Sequence, residues 1–417
     1  MNEPLRKIVN LFLRGLTLAC KFTLIFVLAK YLDPADVGIY GLLAATIGYC
    51  IYILGLDFYT FSNREMISSK KETWGQIIKN QGMVAILAYI IITPMLVMLF
   101  ESGTLPKQYI AWFFLILILE HISQEAHRIL IATSQPLMAS TVLFIRSGLW
   151  VIAIITLMFV DPRLRSTYYV FSAWAVGAFL AIMLTAVNLK GKKIGGWNKS
   201  IQWKWIIEGC KVAAPFLIAT LAIRGIYTID RFWIEKLTNV EILAAYVLFM
   251  GMSNALVSFA DSGIFSFSYP KLILQWQNKT HEEYKSTLKN MLTNLGVLSC
   301  LFSITSILLI NPILKWIDRE IYTSQVEIYY WLLASSIVIS ISMIPHFALY
   351  AQGKDRPIIV GQTLGLVAFA VTAFTISKID ATNAIPISVF CSFSFILAWK
   401  TAAYYLLTPK EYLLFRR

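Results

Sequence analysis

Acidic residues are scarce in this chain, and so is charge of any sign. Only 23 of the 417 residues are Asp or Glu, 14% are charged and four are histidine. Soluble globular domains carry about a quarter of their residues as Asp, Glu, Lys or Arg, so an ordinary water-soluble fold is excluded. The five cysteines, Cys20, Cys50, Cys210, Cys300 and Cys391, are odd in number and widely spaced in apolar stretches. They give neither a disulfide framework nor a metal pattern and read as small buried hydrophobes. No glycine loop for nucleotide phosphates occurs, and no His-Glu-x-x-His zinc pattern. Connections between apolar runs are short, which leaves no room for a soluble catalytic domain. Residues 1–7 run into the first apolar stretch without a small-residue cleavage site and read as the start of a retained helix, not a signal peptide.

What is present is hydrophobic length. The chain is 58% hydrophobic, with mean hydropathy +0.67. A bilayer-crossing helix needs about 20 mostly apolar residues. That template predicts twelve spans, over 8–32, 37–56, 79–100, 108–133, 137–160, 167–189, 208–234, 240–262, 288–314, 327–350, 357–377 and 385–407. The expected fold class is an all-α integral membrane protein, with twelve helices in two pseudo-symmetric six-helix lobes around a central cavity. The lobes are expected over 1–189 and 206–417, joined by a basic linker, 190–205, that carries three tryptophans.

The two-lobe expectation rests on a faint internal repeat. Residues 30–40, Lys-Tyr-Leu-Asp-Pro-Ala-Asp-Val-Gly-Ile-Tyr, align with residues 236–246, Lys-Leu-Thr-Asn-Val-Glu-Ile-Leu-Ala-Ala-Tyr. Farther on, Gly55-Leu56 and Tyr59-Thr60-Phe61 align with Gly263-Ile264 and Phe267-Ser268-Tyr269. Amphipathic stretches near 57–76 and 275–290 hold matching places. Internal symmetry of this kind marks transporters whose binding site lies at the repeat interface.

The net charge of +13 invites a nucleic-acid reading, but its distribution argues for topology. With the N-terminus placed in the cytoplasm, twenty Lys and Arg fall on inner segments, among them Lys7, Lys193, Arg416 and Arg417. Eight fall on outer turns. This satisfies the positive-inside rule and predicts cytoplasmic termini in a plasma membrane, with anionic headgroups as neighbours and no nucleic acid.

Charge inside a span costs about 2.5–3.5 kcal/mol on insertion scales, so each such residue is a functional candidate. On the first helix, Asn10, Arg14, Thr17 and Lys21 share one stripe, which must face a wet cavity or a polar neighbour. The seventh repeats the habit with Thr220, Arg224, Thr228 and Arg231, and Asp230 beside them. For Asp230 and Arg231, near the outer end, an ion pair or snorkelling is the plainer reading. The fourth helix carries Glu120, His121, Gln124, Glu125, His127 and Arg128. These suit a proton or sodium relay, or a salt-bridge set with Arg146 of the fifth. Lys211, Lys400 and His346 read as snorkelling or ordinary packing. Cations outnumber anions across these spans, which favours an anionic cargo, and guanidinium forks suit phosphate oxygens.

The run Ala29-Lys30-Tyr31-Leu32-Asp33-Pro34-Ala35-Asp36-Val37-Gly38-Ile39-Tyr40-Gly41-Leu42 resembles the first helix-to-helix turn of bacterial polysaccharide-repeat (Wzx-type, O-antigen) flippases. So does Gly55-Leu56-Asp57-Phe58-Tyr59 ahead of Arg64-Glu65. Ile229-Asp230-Arg231-Phe232-Trp233 followed by Ala244-Ala245-Tyr246 resembles the matching turn of the other lobe. These flippases belong to the multidrug/oligosaccharidyl-lipid/polysaccharide exporter superfamily. The resemblance implies a non-enzymatic transporter that moves undecaprenyl-pyrophosphate-linked oligosaccharide from inner to outer leaflet by alternating access. It also implies a basic cavity for the pyrophosphate.

The expected substrate-binding residues are therefore Arg14, Lys21, Arg128, Arg146, Arg224 and Arg231. Glu120, Glu125 and Asp230 are expected to couple transport to a proton or sodium gradient, with no cofactor. A polysaccharide polymerase and chain-length machinery are expected as further partners. The rivals are a cation-coupled drug antiporter of the same superfamily, a membrane glycosyltransferase or polymerase acting on the same lipid intermediates, and a lipid II flippase.

Overall fold

A computed structural model describes residues 3–192 and 194–414. The Lys7 side chain, Lys193, Arg416 and Arg417, counted above for topology, lie outside the described residues. Within them the chain is helical, and twelve helices are long and apolar enough to cross a membrane. In chain order they are α1 (Glu3–Tyr31), α2 (Pro34–Gly55), α3 (Lys71–Glu101), α4 (Lys107–Ala132), α5 (Pro136–Val160), α6 (Thr167–Gly191), α7 (Trp203–Leu237), α8 (Val240–Gln277), α9 (His281–Ile317), α10 (Val326–Ala351), α11 (Asp355–Ile376) and α12 (Ala384–Leu407). Helices solve the problem of a chain this apolar, because each satisfies its own backbone N–H and C=O groups where no water can.

The helix ends follow local chemistry. Asn239 caps α8 by accepting the Ile242 N–H at 2.8 Å, and Ser166 caps α6. α9 stops at Asp318, which adopts a left-handed conformation with φ 58°. Four helices outrun the predicted spans: α3, α7, α8 and α9 have 31, 35, 38 and 37 residues. Their additional turns are amphipathic ends that a hydropathy window does not register.

The chain forms two compact units, Met1–Leu32 with Leu43–Leu221, and Asp33–Leu42 with Ala222–Arg417. The expected boundary at the 190–205 linker therefore differs from the packing in two places. The start of α2 packs within the second unit, and the first half of α7 packs within the first. Glycine explains both. In the second unit, a Cβ on Gly38 would lie 2.4 Å from the Val240 carbonyl oxygen, and one on Gly41 2.2 Å from Val247 Cγ2. In the first, a Cβ on Gly209 would lie 2.5 Å from the rings of Phe58 and Phe61. Such contacts hold helices at small-residue distance.

The repeat reappears as geometry. α1 ends at Tyr31 and α2 begins at Pro34; α7 ends at Leu237 and α8 begins at Val240. The copies then diverge. After Gly55 the chain breaks through Leu56 and Asp57, both at positive φ, into a short helix, Tyr59–Ser68, packed on α3 and α4. At the matching place, α8 continues unbroken through a π-turn, Asp261–Phe265.

Within the first unit, α4 packs on α6 and α1 on α5. Within the second, α12 packs on α10 and α11, and α10 also packs on α8. α9 is the barest helix, with only 11% of its best apolar window buried. Its exposed Leu301, Ile304 and Leu308 make a lipid-type face.

Candidate functional site: ionic groups within the spans

The first unit holds a buried polar network built on α4. Glu120 lies at its centre. Arg146 Nε donates to Glu120 Oε2 at 2.7 Å, Arg146 Nη2 donates to the same oxygen, and the Trp174 indole donates to Oε1 at 2.7 Å. Arg146 also reaches Gln124 Oε1 at 3.1 Å. Both partners of this ion pair are buried, with side chains 10% and 7% exposed. A π-turn at Ile145–Leu149 carries Arg146, and such turns redirect side chains. The Arg146 carbonyl accepts the Trp150 indole N–H at 2.9 Å, and Trp150 stacks on Trp174. Gly177 leaves room for the Trp150 ring, since a Cβ there would lie 2.5 Å from it.

One turn along α4, Glu125 accepts from Arg128 and from Gln81 of α3. Ser62 of the short helix donates to Gln81 Oε1 at 2.8 Å. The Arg128 guanidinium lies 3.6 Å from the Tyr59 ring centroid, a close cation–π contact. His121 Nδ1 is 3.2 Å from the Tyr89 hydroxyl. Among the described residues, no group of three His, Cys, Asp or Glu side chains is placed to hold a metal ion.

In the second unit, Asp230 is fully buried. Tyr246 donates to its Oδ2 at 2.7 Å, while the Arg231 backbone N–H and Nη1 donate to Oδ1 at 2.7 and 3.1 Å. Arg231 also donates to the Tyr227 carbonyl. Lys400 of α12 is 1% exposed. Of the two readings given to it, snorkelling and ordinary packing, this burial fits packing.

The expected site residues thus sort into two groups. Arg128, Arg146 and Arg231 each pair with one of the three expected coupling acids, Glu125, Glu120 and Asp230. Arg14, Lys21 and Arg224 are exposed on their helices. Arg14 Nε donates to Ser140 Oγ at 3.2 Å, and Ser140 donates in turn to Asn10. Lys21 and Arg224 are also engaged. Lys21 falls near the middle of its span, Ile8–Tyr31, and Arg224 near the middle of Trp203–Leu237, while Arg14 lies in the first third of its own.

Gln81, Trp174 and Tyr246 were not among the sequence candidates, although each completes an ion-pair shell. A lone amide or indole within an apolar run was the available signal.

No protein-family model matches the chain, and no curated protein matches it. Solved structures do. An inward-facing multidrug resistance MATE family transporter of the MOP superfamily matches with TM-score 0.75 at 13% identity, covering 96% of this chain and 99% of that one. A MATE protein in complex with MaL6 matches with TM-score 0.55 at 11% identity over 96% and 97%. A mutant of the Vibrio cholerae MATE transporter VcmN matches with TM-score 0.50 at 12% identity over 98% and 97%. The fold is the MATE fold. Near-complete coverage in both directions means that the twelve helices here correspond to a whole MATE chain. At these identities the likeness extends to the MATE fold and not to what is carried.

Proposed function

We infer that the chain is a multi-pass membrane transporter that works by alternating access and carries an anionic, lipid-linked cargo. The reading is that of a flippase for undecaprenyl-pyrophosphate-linked oligosaccharide, moving it from the inner to the outer leaflet of a bacterial plasma membrane with both termini cytoplasmic. The single observation that supports it is the sorting of charge. The three candidate acids each pair with an arginine, and Arg14, Lys21 and Arg224 are exposed within their spans. Exposed cations of this kind attract phosphate oxygens and repel cations. The polyprenyl tail would stay in lipid while the sugars cross through water. Coupling to a proton or sodium gradient belongs to the same proposal, as do contacts with a polymerase and chain-length machinery.

A second reading, a cation-coupled multidrug antiporter, has its own support. The likeness to solved MATE structures backs it better than it backs the flippase, since one of those transporters is named for multidrug resistance and none of the three for a sugar lipid. One experiment separates the two. Proteoliposomes holding the purified chain are given either a short-chain polyprenyl-pyrophosphate oligosaccharide or a cationic dye, and crossing is measured. Movement of the first, lost in Lys21→Gln, supports the flippase. Movement of the dye alone, driven by an ion gradient, supports the antiporter and overturns the first reading.

A further inference from the structure

One end of the second unit carries a cavity of about 580 Å³ between the start of α11 and the end of α12. Its walls are of two kinds. Lys354 and Arg356 supply its charge, and Val360, Trp399, Ala403 and Leu406 supply an apolar lining. The mouth is fixed in place. Lys354 Nζ donates to Gln352 Oε1 at 2.7 Å and to the Leu407 carbonyl, and it lies 5.9 Å from the Trp276 ring centroid. The Trp399 indole donates to the Pro357 carbonyl at 3.0 Å. Beneath that ring lies Gly361, where a Cβ would come within 2.6 Å.

Arg356 differs from these groups. It is exposed and makes no hydrogen bond or ion pair among the described residues. The rim's acid, Asp355, is itself engaged. Beyond the rim, Leu406 is 82% exposed, so the slot runs out onto an apolar outer surface.

A lysine and an arginine at the mouth of an apolar slot, with an indole at the same level, match one occupant in charge and shape. The arginine fork suits a phosphodiester, tryptophan favours the headgroup zone, and basic pockets between spans take anionic headgroups. We propose that this slot is a binding site for one anionic glycerophospholipid. Its phosphate sits on Arg356 and Lys354, and an acyl chain lies along Val360, Ala403 and Leu406. The site is independent of the transported cargo, and its test involves no transport.

The test uses the full chain in a neutral maltoside detergent, with lipid binding followed by native mass spectrometry. Dioleoyl-phosphatidylglycerol should bind about tenfold more tightly than dioleoyl-phosphatidylcholine, because two cations at the mouth favour a net anionic headgroup over one whose choline cancels the phosphate charge. Arg356→Gln should erase that preference without loss of fold, because Arg356 supports no other group. Val360→Trp, which fills the slot, should lower phosphatidylglycerol binding, while Arg163→Gln in the first unit should change nothing. Glycerol phosphate at matched concentration should fail to displace the lipid. Equal binding of the two lipids, an unchanged preference in Arg356→Gln, or displacement by glycerol phosphate would each overturn the proposal.

Discussion

Glu120 and Arg146 offer the sharpest perturbation, because their surroundings set the size of the effect. Both side chains are about one-tenth exposed or less, so water cannot solvate whichever is left behind. Arg146→Met leaves Glu120 with the Trp174 indole as its remaining donor. Breaking one side of a buried pair costs about 3–5 kcal/mol. Because Trp174 stays, the low end applies, about 3 kcal/mol. Glu120→Met strands Arg146 and costs a similar amount.

Replacing both together removes both charges and leaves the Trp174 N–H without its acceptor and Gln124 Oε1 without its Arg146 donor, a cost of about 1–3 kcal/mol. The double-mutant cycle should therefore return a coupling energy of about 4 kcal/mol. The assay is equilibrium unfolding in mixed micelles, with the four proteins measured side by side. Transport by the double variant gives the second readout. A pair whose role is to hold α4 on α5 allows the methionine pair to transport at close to the wild-type rate. Single variants within about 1 kcal/mol of wild type, or effects that simply add, would show that the pair does not hold α4 on α5.

Gly41→Leu should destabilise the second unit by about 1–3 kcal/mol through overpacking, because a Cβ at that position meets Val247; Val247→Ala should restore part of it, read as a recovered unfolding midpoint. Lys400→Met should leave thermal stability unchanged or raised, since a buried ammonium with no carboxylate partner among the described residues is replaced by an apolar chain of similar length. Asp380 lies in the turn before α12, where the backbone and side-chain N–H groups of Asn383, with the Thr382 N–H, hold its carboxyl below the usual range. Its contribution is therefore present at neutral pH and lost as pH falls through the depressed value. The midpoint difference between wild type and Asp380→Ala should shrink on acidification below about pH 4, and a difference that grows there would contradict the assignment.

The spans were legible because apolar length is written directly in the chain. The repeat was legible too: the turns at Tyr31–Pro34 and Leu237–Val240 fall where the aligned residues placed them. The unit boundary was not, because the first half of α7 is as apolar as the second. What assigns it to the first unit is the fit of Gly209 against Phe58 and Phe61, a fact of tertiary packing. In the site, residue types on α4 pointed to pairing or relay chemistry, but spacing could not say which cation each acid would meet. Arg146 reaches Glu120 from a π-turn, which no helical periodicity of 3.6 anticipates. Asp230 is met by Tyr246 from the next helix, a contact that needs the α7–α8 turn already formed.

The exposed cations within the spans serve an anionic cargo in the proposed function. Translocation of a polyprenyl-pyrophosphate oligosaccharide into proteoliposomes, by wild type and by Arg14→Gln, Lys21→Gln and Arg224→Gln at matched protein, decides whether they do. Wild type should carry the sugar lipid across and each variant should be slower by about tenfold or more, as expected on losing a charge-assisted phosphate contact, with no gain of cationic dye transport. Wild-type rates in all three variants, or dye movement with no movement of the sugar lipid, would contradict that role.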